Sequence, residues 1–140
     1  MVTNTDLKHY VVDSSVIISY LMVDEKIDPK HEKIITDHLH HKITLTAPVI
    51  LPFEIGNSLK SGVLSKRLTQ SQANELFKEF FNLEIKLKPV KYDLVLKLAT
   101  SHNLSFYDAS YLSLHKSTHY PLLTLDKKLL SAAKNLTIFS

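Results

Sequence analysis

Tyr10-Val11-Val12-Asp13-Ser14-Ser15 is a short apolar run that stops at an acid, and the apolar residues Val16, Ile17 and Ile18 follow directly. A buried strand of this kind places Asp13 at the carboxyl edge of a sheet, which is where open α/β sheets bind their ligands. Asp and Ser are also favoured helix N-caps, so Asp13 is open to two roles, ligand or cap. The choice between them turns on whether other acids occupy equivalent places. Pro121 to Leu125 reads as another strand, stops at Asp126, and is followed by a helix from Lys127 to Lys134. The grammar at Asp13 is therefore repeated.

Between these two points, strands and helices alternate. Ser14 to Met22 reads as a helix, and Asp28-Pro29 opens another through about His40, because proline suits the first helical turn. Ile43 to Ala47 is a strand ended by Pro48, and Val49 to Ser61 has helical spacing with Val49, Ile50, Phe53 and Leu59 as its apolar residues. Thr69 to Leu83 is the clearest helix: Thr69 and Gln72 form a capping box, and Ala73, Leu76, Phe77, Phe80 and Phe81 recur at helical intervals. A short strand at Glu84 to Leu87, a helix at Val90 to His102, a helix opened by Ser105 and a last short strand at Leu136 to Phe139 complete the chain. The alternation predicts an α/β domain with a mainly parallel sheet.

The 140 residues fit one domain, residues 1–140, with no repeats or linkers. With 44% apolar residues and a mean hydropathy near zero, the composition is that of a globular chain. The polar amino terminus, Met1 to Lys8, has no signal-peptide core, and charges interrupt every longer apolar stretch, which argues for the cytoplasm and against a membrane span. The absence of cysteine excludes disulfides, thiol catalysis and Cys-based zinc sites. With only Gly56 and Gly62, glycine-rich phosphate loops are excluded as well. Seventeen basic and fourteen acidic residues give a formal charge of +3; if several acids gather at one site, the remaining surface suits a polyanion such as RNA.

Two further acids stand out. Glu54, Asn57, Ser58 and Ser61 form a polar stripe on an otherwise apolar helix, one carboxylate backed by an amide and hydroxyls. Asp108 stands three residues after Ser105, in the spacing of a capping box, so a dipole-complementing role is open to it. His38, His40 and His41 invite a metal role, but His40 and His41 cannot face the same way on a helix, and histidine suits a helix carboxyl end. Lone His115 and His119 read as surface or hydrogen-bonded histidines, and the tyrosines near Asp108, Tyr111 among them, as packing residues. Lys60, Lys66 and the single arginine, Arg67, sit in a polar connection from which they could meet phosphates.

Asp13 and Asp126 follow parallel strands, and Asp108 and Glu54 could join them. Two carboxylates about 4 Å apart repel by roughly 4 kcal/mol at an effective dielectric of 20, so such a cluster persists only when protons or cations neutralise it. Hard oxygen donors without sulfur favour Mg²⁺ or Mn²⁺ over Zn²⁺. Such ions activate water and screen a phosphodiester, which is nuclease chemistry without a side-chain nucleophile.

Four segments in order, Val11-Val12-Asp13-Ser14-Ser15, Glu54-Ile55-Gly56-Asn57-Ser58-Leu59, Tyr107-Asp108-Ala109-Ser110-Tyr111 and Leu122-Leu123-Thr124-Leu125-Asp126, resemble the motifs of PIN domains. Within that family the chain is similar to the single-domain ribonucleases of the VapC toxin type. The resemblance implies a three-layer α/β/α sandwich and Mg²⁺- or Mn²⁺-dependent cleavage of RNA. By position, Asp13, Glu54, Asp108 and Asp126 resemble the family's acidic, metal-holding quartet, Ser15 and Thr124 the hydroxyls that orient its first and last acids, and Asn57 the polar residue after the glutamate. Gly56 within the helix departs from the pattern, at a cost of up to about 1 kcal/mol relative to alanine. The segment from Lys60 to Arg67 resembles the basic stretch of such toxins. The family further implies a small antitoxin whose tail enters the acidic cleft and a homodimer, to which Ile27 and Ile35 could contribute. The alternatives are a non-catalytic PIN-like module that grips RNA or protein, a solitary RNA-processing nuclease, and a phosphoacceptor receiver domain; the last fits poorly because Asp13 has no acidic neighbour in sequence.

Overall fold

A computed structural model describes residues 7–22 and 24–139, with side chains to Leu136. Of the polar amino-terminal stretch, Met1 to Asp6 therefore lie outside the described residues. The elements follow as β1 (Lys8–Val12), α1 (Ser14–Leu21), α2 (Pro29–Leu39), β2 (Ile43–Pro48), α3 (Leu51–Leu64), α4 (Gln70–Asn82), β3 (Lys86–Lys88), α5 (Tyr92–His102), α6 (Phe106–Thr118), β4 (Leu122–Leu123) and α7 (Lys127–Phe139).

The four strands form a parallel sheet in the order β3-β2-β1-β4. β1 is central, with Tyr10 opposite Leu45 on one side and Val11 opposite Leu122 on the other. Helices cover the sheet in a three-layer α/β/α arrangement; α6 packs on β1, β2 and β4, with α5 and α7 against it, while α1, α3 and α4 pack on one another and α2 on β2. Where a parallel strand is covered on both faces its residues are apolar: Lys8 at the start of β1 is exposed, whereas Val11 and Val12 at its end are completely buried. Each such side chain contributes roughly 1.5–3 kcal/mol through burial.

Local signals set the helix starts. Asp28 caps α2 by accepting from the Lys30 N–H at 2.9 Å, and Thr69 and Gln72 exchange both bonds of the capping box on α4. Gly56 meets α4 closely: a Cβ there would lie 3.3 Å from the Phe77 ring, so the glycine lets α3 and α4 approach.

Several expectations are corrected. Leu136 to Phe139 is the end of α7 and not a strand; β4 already completes the sheet, and the helix capped at Asp126 runs on. In α3 the buried side is Leu51, Ile55, Leu59 and Gly62, while Phe53 and Val49 are exposed. Phe81 is likewise exposed. Ile35 is fully buried in the core, so it offers nothing to a partner surface; Ile27 is only half-buried. The histidine cluster is divided: the buried His38 accepts from the Leu45 N–H at Nδ1 (3.0 Å), so its Nε2 carries the proton and donates to the Leu83 carbonyl (2.7 Å). Both nitrogens tie α2 to β2 and to the end of α4, and His40 and His41 are exposed. His115 sits against the Tyr120 carbonyl at 2.6 Å, a hydrogen-bonded histidine as expected, and His119 is exposed.

Candidate active site

β1 ends at Val12 and α1 begins at Ser14, which leaves Asp13 between them at the carboxyl edge of the central strand. It is 4% exposed. Its Oδ1 accepts from the Ser14 N–H at 2.8 Å, the capping bond, and its Oδ2 accepts from the hydroxyls of Ser15 and Thr124, both at 2.8 Å. Capping therefore occupies one oxygen and hydroxyl orientation the other. With a single close donor, Oδ1 retains acceptor capacity toward the cleft.

The same network fixes the end of β4. Thr124 Oγ1 accepts from the Asp126 N–H at 3.0 Å, and Ser15 Oγ accepts from the Leu125 N–H at 3.0 Å. Asp126 Oδ1 then accepts from the N–H groups of Lys128 and Leu129, at 2.9 and 3.0 Å, and caps α7. The equivalent grammar at Asp13 and Asp126 has one structural cause: parallel strands expose their last residues on the same edge, and a helix start follows each.

Asp108 stands in the first turn of α6, its N–H donating to Ser105 Oγ at 3.0 Å. Burial, and then the charges of Asp13 and Asp126, push its carboxyl above the ordinary range, and the Lys128 ammonium works in the opposite direction. Lys128 is held over this region by donating to the Asn103 carbonyl.

Glu54 reaches the site from α3. Its carboxyl is also pushed up, first by burial and then by Asp13 and Asp108, while the hydroxyl of Tyr111 opposes the shift by donating to Oε1 at 2.5 Å. Tyr111 is fully buried on α6, one turn beyond Asp108. Burial and the Glu54 charge drive its phenol far above the ordinary range, so it remains a donor. Tyr111 is thus more than the packing residue that the sequence suggested. The signal that could have found it was the Asp108/Tyr111 spacing of three, which puts both on one face of α6.

The four acids thus share one edge: Glu54 and Asp108 both sense Asp13, and Asp108 senses Asp126. Among the described residues, no three His, Asp or Glu side chains close on a single point as a ready-made metal cage. The donor set, all hard oxygen, fits Mg²⁺ or Mn²⁺.

Asn57 and Ser58 line a groove of about 490 Å³ with Glu54, Ser14 and Tyr107. The basic candidates separate from one another. Lys60 is within α3 rather than in a loop, and both it and Lys66 are exposed. Arg67 is already engaged: Nε and Nη2 each lie 2.7 Å from an Asp24 oxygen, and Nη2 lies 3.2 Å from Glu25. This fork ties the α3–α4 connection to the segment after α1, which competes with the phosphate contact expected from its charge.

The solved structure of PAE2754 from Pyrobaculum aerophilum superimposes with a TM-score of 0.70, at 24% identity over 95% of this chain and 88% of that one. Among curated proteins the chain is similar to Ribonuclease VapC3 of Pyrobaculum aerophilum, 28% identical over 85% of this chain and 90% of the relative. It is also similar to Ribonuclease VapC1 of Mycobacterium tuberculosis (29%, covering 86% and 92%) and to Exonuclease VapC9 of Pyrobaculum aerophilum (29%, covering 89% and 86%). The PIN domain family model matches residues 10–135, nearly the whole α/β unit that carries the four acids, and the chain belongs to the PIN domain family.

Proposed function

We propose that this protein is a divalent-metal-dependent endoribonuclease, the toxin of a toxin–antitoxin pair. The observation that carries the reading is geometric: Thr124 donates to Asp13 and accepts from the Asp126 N–H, and Glu54 and Asp108 lie near enough to Asp13 for its charge to add to burial in pushing both carboxyls up, an arrangement suited to a cation. The relatives named as ribonucleases support RNA as the substrate.

Asp13, Glu54, Asp108 and Asp126 would hold Mg²⁺ or Mn²⁺, which when bound supplies a more acidic water and charge stabilisation for the phosphodiester. The chain's own part is orientation. Ser15 and Thr124 pin Asp13 Oδ2, so that the carboxylate cannot rotate away from the edge. Tyr111 fixes one oxygen of Glu54 and leaves the other to orient water or to take its proton. Asn57 lies where a polar contact to substrate beside Glu54 is available, and Lys60 and Lys66 supply exposed charge for phosphates.

A small antitoxin with a basic side chain would be attracted to the same acids, and expression of the chain alone should then arrest growth. A homodimer in the cytoplasm completes the reading. Assay of Asp13→Asn and Asp108→Asn with Mg²⁺ or Mn²⁺ tests it: cleavage should fall at least about a hundredfold, and variants that cut as fast as wild type contradict it. Because one relative is named an exonuclease, a circular RNA decides the mode; an endonuclease linearises it and an exonuclease leaves it intact.

A further inference from the structure

Lys128 lies in the first turn of α7, two residues after Asp126, whose Oδ1 accepts from its N–H at 2.9 Å. Lys127 and Lys128 therefore stand at the positive end of a helix dipole, where cations are disfavoured. The stability of α7 gives no reason for the charge to be there. The Lys128 ammonium crosses to the α5–α6 connection and donates to the Asn103 carbonyl. Asn103 is the left-handed C-cap of α5 (φ 51°), and two residues further on Ser105 Oγ holds the Asp108 N–H at 3.0 Å. The side chain thus spans from the helix start that carries Asp126 to the turn that leads into Asp108, and its charge reaches the Asp108 carboxyl. It pairs with neither acid: among the described residues, no carboxylate stands within ion-pair distance of Lys128. A charge kept beside four acids, yet bonded only to a neutral carbonyl, is free to change partner.

We propose that Lys128 grips the scissile phosphate of the substrate, leaving the Asn103 carbonyl for a non-bridging oxygen. The inference rests on the nuclease reading above and adds to it the residue that meets the phosphate's charge. A phosphodiester brought to four carboxylates is repelled by them, and a cation of the chain at the same edge offsets that repulsion. An ammonium on an anionic oxygen gains a Coulomb attraction that a carbonyl does not supply, so the exchange of partners is favourable. Lys128 is exposed, and its flexible stem gives up a single bond in making the exchange. The other basic candidates are placed less well. Arg67 is taken up by Asp24 and Glu25, and Lys60 stands off the α3 face that carries Glu54, Asn57 and Ser61.

The test uses the full chain with Mn²⁺ and a single-stranded RNA whose cleaved bond has been mapped. Lys128→Met keeps the stem, loses the charge and relieves the α7 dipole, so the fold stands. It should lower kcat/KM by about 10- to 150-fold, and Lys128→Arg, which keeps the charge, should recover most of that. The slope of log kcat/KM against log salt should become shallower in Lys128→Met by about 0.7 to 1, the share of one phosphate. Sulfur in place of a non-bridging oxygen at the mapped bond should slow wild type, and in one of the two diastereomers that penalty should shrink in Lys128→Met. Mn²⁺ binding, read by electron paramagnetic resonance, should not weaken, because the lost group is a cation. Mn²⁺ binding that weakens in step with cleavage, at an unchanged salt slope, makes Lys128 a tie that holds the α5–α6 turn and overturns the proposal. Cleavage and slope unchanged in Lys128→Met overturn it as well and leave the nuclease reading intact. If wild type cuts no RNA, filter binding of the intact strand reads the slope: dependence on Lys128 keeps the phosphate contact and overturns the nuclease reading, and independence overturns both.

Discussion

The Tyr111 hydroxyl donates to Glu54 Oε1 at 2.5 Å, joining α6 to α3 across 57 positions of sequence. A buried phenol is thereby committed to a carboxylate that burial and two neighbouring acids disfavour in its charged form. Tyr111→Phe removes the bond and keeps the ring. A hydrogen bond to a charged group contributes about 1.5–3 kcal/mol, so urea unfolding at neutral pH should show a loss of that order. Cleavage should fall about tenfold if Glu54 orients water, and the variant should be no worse than wild type in a Glu54→Gln background.

The pH dependence follows from the same acids. Glu54 and Asp108 have carboxyls raised in the folded chain above their ordinary values of 4.5 and 3.8. In the window from those values up to the raised ones, the folded state binds more protons than the unfolded state, so stability falls as pH rises. Metal-free protein should therefore gain stability from these two groups on acidification through the carboxylate range. The denaturant midpoint against pH, compared with that of a Glu54→Gln/Asp108→Asn double variant, checks this: the variant's profile should lack the gain. Saturating Mn²⁺ should reverse the wild-type trend and leave the double variant little changed, because the cation binds the deprotonated carboxylates and acidification displaces it.

Thr124 serves two acids at once, donating to Asp13 Oδ2 and accepting from the Asp126 N–H. Thr124→Val keeps the shape and leaves a buried carboxylate oxygen with Ser15 as its remaining donor. A loss of about 1–3 kcal/mol in stability is expected, together with weaker Mn²⁺ binding. Ser15→Ala should act in the same direction, because Ser15 Oγ also holds the Leu125 N–H.

Arg67 and Lys60 should behave differently although both are basic. Arg67→Ala breaks an exposed fork to Asp24 and Glu25, so RNA binding should change little and its salt dependence should be unaltered. Lys60→Ala, at an exposed position of α3, should lower the slope of log K against log salt by about one if Lys60 meets a phosphate. Filter binding across a salt series separates the two.

These residues also mark how far the sequence could be read. Asp13 and Asp126 were legible because strand, acid and helix are neighbours along the chain, and a parallel sheet puts every such junction on one edge. The capping box at Thr69 was legible for the same local reason. Tyr111 was legible only in part: its spacing of three from Asp108 puts both on one face of α6, but its partner Glu54 lies on another helix, 57 positions away. Arg67 shows the converse: its charge was plain, but the acids that occupy it come from a segment more than forty residues earlier. Phe53 and Ile35 were mistaken in opposite senses, since periodicity identifies an apolar residue without saying whether another element covers it. Leu136 to Phe139 was misjudged because a short apolar run does not distinguish strand from the last turn of a helix.

Mn²⁺ binding to the full chain, measured by electron paramagnetic resonance for wild type, Asp13→Asn and Asp108→Asn, tests the central claim that these acids act as one cation-holding set. Each substitution should weaken binding by at least about tenfold and reduce RNA cleavage in parallel. Variants that bind Mn²⁺ and cut RNA as wild type does would contradict the account.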